Sequence, residues 1–472
     1  MRQLSGVDAL HVLEETRNQH MHTIKIAILG PTADGPVSVD VIRAWARDRL
    51  PRISAMRWRV VKIPLGLGRP VFVDAGRFDV DPHLFVESAP SPGGDAQLDA
   101  IVSRIASVQL RRDRPLWELT VVTGLSGDRV ALVFKIHHAI MDGQASVRFF
   151  ELVFDGGDED ALRDPPETPE QIPRPAELVG YALSAQLKLY AQLPHVVRRT
   201  AASVRVNFER KRGGAAPVVN PMSGPATRFN RLPVPDRVYV NVTLPLEEIK
   251  ATKAAAGCTI NELFITLCGG AIRRYLEEKG ELPNRCMNSA CPVSIRKADE
   301  RDAFGNRTSY WYVSLGTDVA DPLERLAAVK DSLDAAREWA KGDTELFAVW
   351  QDYYLLFGTM TLKTLALAER LSRRPAFNAV VSNVRGPRPL TLGDAPVVAV
   401  RSMGPITRTL GLNLTAWSYQ GDFAVGVQSC RDFLDDPERI GDHLRDELAA
   451  MQRQLMTTAS PASGRTASAS PS

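Results

Sequence analysis

The stretch that most narrows what this chain can fold into runs from residue 129 to residue 154. Residues 129–136 (RVALVFKI) are almost continuously apolar, the pattern of a strand buried on both faces. They run straight into His137 and His138, and residues 143–154 then place Val147, Phe150 and Phe154 near one face of a helix. A strand, a short polar loop and a helix in that order predict a sheet with helices packed on it. The rest of the first 154 residues repeats the alternation. Residues 23–29 (TIKIAIL) are strand-like, while 39–50 and 98–110 are amphipathic helices. The expected unit is an α/β lobe over residues 1–154.

A change of composition follows. Residues 155–175 (DGGDEDALRDPPETPEQIPRP) are acidic and Pro-rich, as a surface linker is. Residues 178–208 are helical in pattern but interrupted by Pro194, and 213–235 are again rich in Gly and Pro. The linker as a whole spans 155–235. From 236 to 456 the alternation resumes, with strands expected at 238–244, 287–290, 309–315, 377–381, 397–400, 413–419 and 423–428. Helices are expected at 245–256, 259–279, 322–339, 346–371 and 437–455. Residues 457–472 (TTASPASGRTASASPS) are low in complexity and are expected to be disordered. The organisation predicted is two α/β lobes, a long linker and a tail.

Charge and cysteine usage remove several function classes. Lys and Arg number 58 against 55 Asp and Glu, so there is no basic excess of the kind a nucleic-acid binder depends on. The five cysteines, Cys258, Cys268, Cys286, Cys291 and Cys430, form no CxxC pair, which argues against a disulfide framework or a structural zinc site and for a cytoplasmic protein. The N-terminal residues lack a basic-then-apolar export signal. The most apolar long stretch, 346–371, is broken by Gln351, Asp352, Lys363 and Glu369, so no spanning helix is expected. Attachment to a lipid surface stays open. Residues 178–212 carry seven basic side chains against Glu209 alone, interleaved with Leu, Val and Tyr. That pattern suits either an anionic membrane or lipid-droplet surface, or a solvated helix packed across both lobes.

The heptad His137-His138-Ala139-Ile140-Met141-Asp142-Gly143 carries the chemistry. A strand-end loop is where scaffolds present reactive groups, and a histidine titrating near neutrality can take a proton from a hydroxyl and return it to a leaving group. Asp142 can order the loop through a salt bridge, and Gly143 can supply a backbone conformation closed to other residues. A purely structural pair of histidines is one competing reading. A metal held by His138 and Asp142 is another, but no third ligand lies nearby, and no metal or cofactor is expected. A serine or cysteine triad lacks its nucleophile, because there is no GxSxG elbow. General-base acyl transfer fits best.

HHxxxDG resembles the signature of the CoA-dependent acyltransferase superfamily, which includes chloramphenicol acetyltransferase and peptide-synthetase condensation domains. The flanking motifs narrow the resemblance to the bacterial wax ester synthase/diacylglycerol acyltransferase family. They are Leu4-Ser5-Gly6-Val7-Asp8 with Met21-His22, Arg114-Pro115-Leu116-Trp117, Pro292-Val293-Ser294-Ile295-Arg296 with Gly305-Asn306-Arg307, Ser382-Asn383-Val384 with Gly386-Pro387, Gly411-Leu412-Asn413, and Ser418-Tyr419. The likeness covers residues 4 to 455.

The resemblance implies a fold of two chloramphenicol-acetyltransferase-like lobes with an active-site tunnel between them. His138 is then the general base that deprotonates an acceptor hydroxyl for direct attack on an acyl-CoA thioester. His137 supports it, and Asp142 is structural, with Arg296 the candidate partner. Long-chain acyl-CoA is implied as co-substrate and diacylglycerol as acceptor, with a fatty alcohol or another lipid hydroxyl as the alternative. A non-catalytic lipid-binding role is the other class of reading. The implied location is the inner face of the plasma membrane or a lipid droplet.

Two positions depart from the family pattern. The Asn-Asp pair at a helix start is here Asn261-Glu262, within Thr259-Ile260-Asn261-Glu262, which fits a capping box. Glu262 therefore reads as structural, while Asn261 has two open readings, oxyanion donor or helix-start residue. Arg385 stands where the family has proline, which leaves the shape of that loop open.

Overall fold

Polar side chains set where the helices begin, as the unpaired N–H groups of a first turn require. In a computed structural model of the chain, Ser5 caps α1 (Gly6–Glu14), Ser38 caps α2 (Val39–Arg49) and Asp142 caps α4 (Gly143–Val153). The helix between the last two, α3, spans Asp95–Ala106, and α5 spans Pro175–Arg212. After α6 (Leu246–Ala255), the capping box predicted at Thr259 and Glu262 opens α7 (Ile260–Glu278). The remaining helices are α8 (Pro322–Ala340) and α9 (Pro437–Ala459). The structure describes residues 1–214, 218–220, 222–300, 303–340, 349–350, 352–353 and 375–459.

Two mixed six-stranded sheets organise the molecule. The first runs β12-β13-β2-β7-β6-β5, where β2 is His22–Leu29, β5 Leu84–Ser88, β6 Trp117–Leu125, β7 Arg129–His137, β12 Thr391–Leu392 and β13 Ala395–Met403. The second runs β10-β9-β11-β14-β15-β8, where β8 is Arg237–Pro245, β9 Asn288–Ser294, β10 Thr308–Ser314, β11 Ala379–Arg385, β14 Leu412–Tyr419 and β15 Asp422–Cys430. A small sheet of β1 (Arg2–Gln3), β4 (Val71–Asp74) and β3 (Trp58–Val61) completes the N-terminal side.

Both faces of the central strands are buried. On β2, Ile24, Ile26 and Ile28 pack against Leu98, Ile101 and Val102 of α3, while Ala27 and Leu29 enter the core shared with α2 and α4. The second sheet buries the apolar face of α7, with Leu263, Leu267 and Ile272 beside Leu414, Val425 and Val427. No single described helix is long and apolar enough to cross a membrane.

The sheets amend the division expected at residue 236. Residues 391–403 lie far into the C-terminal region yet supply β12 and β13 to the N-terminal sheet, with Ser402 opposite Lys25. Trp417 and Tyr419 of β14 also pack into the N-terminal core. The lobes are interlocked by a strand exchange that no local pattern encodes.

Two expectations change at the helices, and several strands were not expected. Pro194 does not end α5, which continues through it. Pro194 is exposed, and the helix is anchored on either side, by Leu178 and Ala182 against Ile63 and Val71 and by Val196 against Tyr353. The last helix runs on to Ala459 rather than stopping at 455. The tail from 460, and the expected helix at 346–371 apart from residues 349–350 and 352–353, lie outside the described residues. Among the strands, β5, β6, β12 and the three of the small sheet have no counterpart in the sequence reading.

Candidate active site

His138 is held by its backbone from two directions. Its N–H donates to the Met21 carbonyl at 2.8 Å, and its carbonyl accepts from Asn306 Nδ2 at 2.6 Å. The first partner precedes β2; the second belongs to the loop before β10. The same Asn306 donates to Asp8 Oδ1 from its N–H at 2.9 Å and from Nδ2 at 2.7 Å, which ties α1 into the arrangement. The motifs at residues 4–8, 137–143 and 305–307 therefore meet at one point.

The imidazole lines a cavity of about 360 Å³ between the two sheets. Val7 and His11 of α1, Thr23 and Lys25 of β2 and the start of α4 form one wall. Val293, Tyr310, Ser382, Asn413 and Thr415 of the second sheet form the other. Nδ1 of His138 is buried without a hydrogen-bond partner among the described residues. Burial pushes this histidine down to about 4; Lys25 adds to the effect and Asp142 partly opposes it. It is thus neutral at physiological pH, the form a general base needs. His11 lies beside it, with ring centroids 4.6 Å apart, and burial holds that ring well below the usual histidine range too.

His137 turns away from the cavity. It is fully buried, its Nδ1 accepts the Ala139 N–H at 3.1 Å, and Nε2 lies 3.8 Å from Glu15 Oε2, a carboxylate that also pairs with Arg112. Burial, then Arg112, keeps it well below the usual range. It lies outside the residues that line the cavity.

Asp142 is anchored as the sequence predicts and further. Oδ2 accepts from Arg296 Nη2 at 2.9 Å, from the Arg307 N–H at 2.9 Å and from Thr308 Oγ1 at 3.2 Å, and Oδ1 accepts from the Ala145 N–H at 2.8 Å. One carboxylate caps α4 and joins the lobes, so its oxygens are committed. Gly143 is needed for space rather than for an unusual backbone angle. It is not among the left-handed glycines, and a Cβ there would meet Val384 Cγ2 at 2.9 Å.

Asn261 does not line the cavity, which leaves the helix-start reading for it. Glu262 accepts from the Thr259 N–H at 2.9 Å and from Arg337 Nη2 at 3.0 Å, a structural use of both oxygens. Arg385 ends β11 opposite Ser418, and Gly386 donates to the Ser418 carbonyl at 3.1 Å. Cys268, Cys291 and Cys430 are buried and unpaired. Sequence reasoning passed over His11 and Lys25. The readable signal for Lys25 was a charge inside an otherwise apolar strand; His11 gave none, since a histidine in a short amphipathic helix is ordinary.

The chain matches the family model described as the wax ester synthase/diacylglycerol acyltransferase catalytic domain over residues 4–264, and that of the family's C-terminal domain over 304–452. It is 35% identical over 439 residues to a Mycobacterium tuberculosis protein named as a diacylglycerol O-acyltransferase, covering 91% of this chain and 92% of the relative. Another M. tuberculosis protein of that name is 32% identical over 447 residues, 93% of each chain. Among solved structures, a wax ester synthase/diacylglycerol acyltransferase from Marinobacter aquaeolei VT8 superposes with a TM-score of 0.66 at 24% identity, covering 96% of this chain and all of that one. The first condensation domain of the calcium-dependent antibiotic synthetase gives 0.59 at 15% identity, covering 97% of each. At these identities the superpositions establish the fold, which is the two-lobed one expected.

Proposed function

The chain belongs to the wax ester synthase/diacylglycerol acyltransferase family and is an acyltransferase; from that premise we propose that it moves a long-chain acyl group from CoA to the hydroxyl of diacylglycerol, with His138 as general base. The observation that carries this reading is the neutral His138 facing a cavity between the lobes while Asp142 is spent on holding its loop. Nε2 takes the hydroxyl proton as the oxygen attacks the thioester carbon. The imidazolium returns that proton to the departing CoA sulfur, and no covalent enzyme intermediate is needed. In a test with labelled palmitoyl-CoA and diacylglycerol, the wild type forms triacylglycerol and His138→Ala loses about 10²- to 10⁴-fold in rate. Full activity in the variant, or no labelled neutral lipid from the wild type, refutes the reading.

The enzyme, on this reading, works in the cytoplasm at a lipid surface. The support is α5, where Leu183, Leu187, Tyr190, Val197, Val204 and Phe208 are all exposed at helical spacing, with Lys188, Arg198 and Arg205 exposed beside them. Reversing those three basic residues to Glu should abolish co-sedimentation with anionic vesicles. Unchanged co-sedimentation would remove the surface role from this helix.

A further inference from the structure

One charged side chain in the cavity has no place in the acyl-transfer step. Lys25 stands on the face of β2 that also carries Thr23, with Met21 in line just before the strand, and all three line the cavity as alternate residues of an extended chain do. Met21 is the residue whose carbonyl holds the His138 N–H, so Lys25 shares its wall with the base. Two residues further on, Ala27 enters the core. Lys25 thus sits where the open cavity meets the packed interior, and it is 4% exposed.

Its ammonium donates to Ser402 Oγ at 2.7 Å and lies 5.2 Å from the Trp417 ring centroid. An ammonium has three N–H groups, and among the described residues no carboxylate stands within ion-pair distance of this one. Asp142, whose charge it feels, is committed to Arg296, Arg307, Thr308 and Ala145. Glu14, the other carboxylate on the cavity wall, forms no ion pair with it. Burial draws Lys25 down to about 7, with Asp142 pulling the other way. A buried cation without a counter-charge is costly, and the space where a counter-charge fits is the substrate cavity.

The reactants narrow what that charge is. A long-chain acyl group is neutral, and the phosphates of CoA are a whole pantetheine arm away from the thioester. A negative group beside the reacting hydroxyl therefore comes from the acceptor. We infer that Lys25 and Ser402 form a recognition site for a carboxylate on the acyl acceptor, which adds hydroxy-carboxylate lipids to the acceptor class, a 3-hydroxy fatty acid being the simplest. The inference rests on His138 acting as the base. His138 takes the proton of the acceptor hydroxyl, the oxygen bonds to the thioester carbon, and the carbon–sulfur bond breaks. The thiolate leaves with the imidazolium proton, while the carboxylate stays ionised and paired with Lys25 throughout. An acceptor without the carboxylate leaves the ammonium with Ser402 alone, a mismatch that sites with buried polar groups discriminate against.

A matched pair of acceptors, 3-hydroxyhexadecanoate and its methyl ester, tests this with palmitoyl-CoA as donor. The wild type should favour the acid over the ester by about ten- to a hundredfold in kcat/KM. Lys25→Met should cut that ratio by the same factor, and Lys25→Arg, which keeps the charge, should retain much of it. An unchanged ratio in Lys25→Met overturns the inference. So does an equal loss on both acceptors, which would assign Lys25 to the thioester oxyanion. Acylation of diacylglycerol but of neither compound defeats the inference alone. Acylation of no acceptor at all defeats it together with the function proposed above.

Discussion

Asp142 and Asp99 are both buried carboxylates at contacts between the lobes, 4% and 6% exposed, yet their surroundings differ. Asp142 accepts four hydrogen bonds, one of them from Arg296 at ion-pair distance. Asp99 belongs to a second seam, where α3 covers β8, the edge strand of the C-terminal sheet. There Asp99, Ser103 and Ser107, spaced one helical turn apart, accept the N–H groups of Asn241, Tyr239 and Arg237, each at 2.9 Å. A polar stripe on a helix thus covers an edge that would otherwise be open to pairing. The stripe leaves one oxygen of its carboxylate without a hydrogen bond. Asp99 Oδ1, Tyr239 Oη, Asn241 Oδ1 and Arg401 Nη1 are buried without a hydrogen-bond partner among the described residues. Arg401 Nη1 approaches Asp99 Oδ1 only to 3.8 Å, and burial pushes Asp99 up to about 7. Buried atoms without a partner occur at both seams, Arg296 Nε and Asn306 Oδ1 among them, so the contrast lies in the carboxylates themselves: both oxygens of Asp142 accept hydrogen bonds, while Asp99 Oδ1 accepts none.

The largest effect should come from Asp142, the carboxylate with both oxygens bonded. Asp142→Ala removes the α4 cap and strands Arg296, a change expected to cost about 3–5 kcal/mol, as breaking a buried pair does. Acyl transfer should fall with it, because the loop that positions His138 loses its anchor. Denaturant unfolding and initial rates measure both, and wild-type values in either would break the contrast between the seams.

A smaller, pH-dependent effect should come from Asp99. An unfolded aspartate titrates near 3.9, so between there and about 7 the folded chain holds a proton that the unfolded chain has released. Stability attributable to this group therefore declines as pH rises through that window. Asp99→Asn keeps an oxygen for the Asn241 N–H and removes the titration. It should be more stable than wild type above pH 7, by on the order of 1–3 kcal/mol, and near parity at pH 4. Melting curves at the two pH values decide it, and a gap that does not widen with pH would show the two carboxylates to be alike.

Much of this was legible in the chain. The strand expected at 23–29 is His22–Leu29, the helix at 143–154 is Gly143–Val153, and the capping box at Thr259 is formed with both of its hydrogen bonds. The resemblance also points to Arg296 as the partner of Asp142, and the two meet at 2.9 Å. The misses have a common cause. β6 (WELTVVTGL) mixes Glu and Thr into its apolar run because one of its neighbours is the exposed edge strand β5, so its pattern is weaker than that of β7. The stripe of Asp99, Ser103 and Ser107 reads as an ordinary polar face until β8 is laid beside it.

By itself the sequence determined the local elements, the α/β class and the histidine motif at the end of a buried strand, because periodicity, caps and a short motif are encoded within a few residues of one another. Only the tertiary structure decided that residues 391–403 complete the N-terminal sheet, that Lys25 lines the cavity on Ser402 with no carboxylate partner among the described residues, and that one carboxylate between the lobes has both oxygens bonded and the other has not. Those outcomes depend on which strand edge meets which helix across more than a hundred residues of chain. Burial and partnering there are properties of the assembled interface, and no single segment carries them.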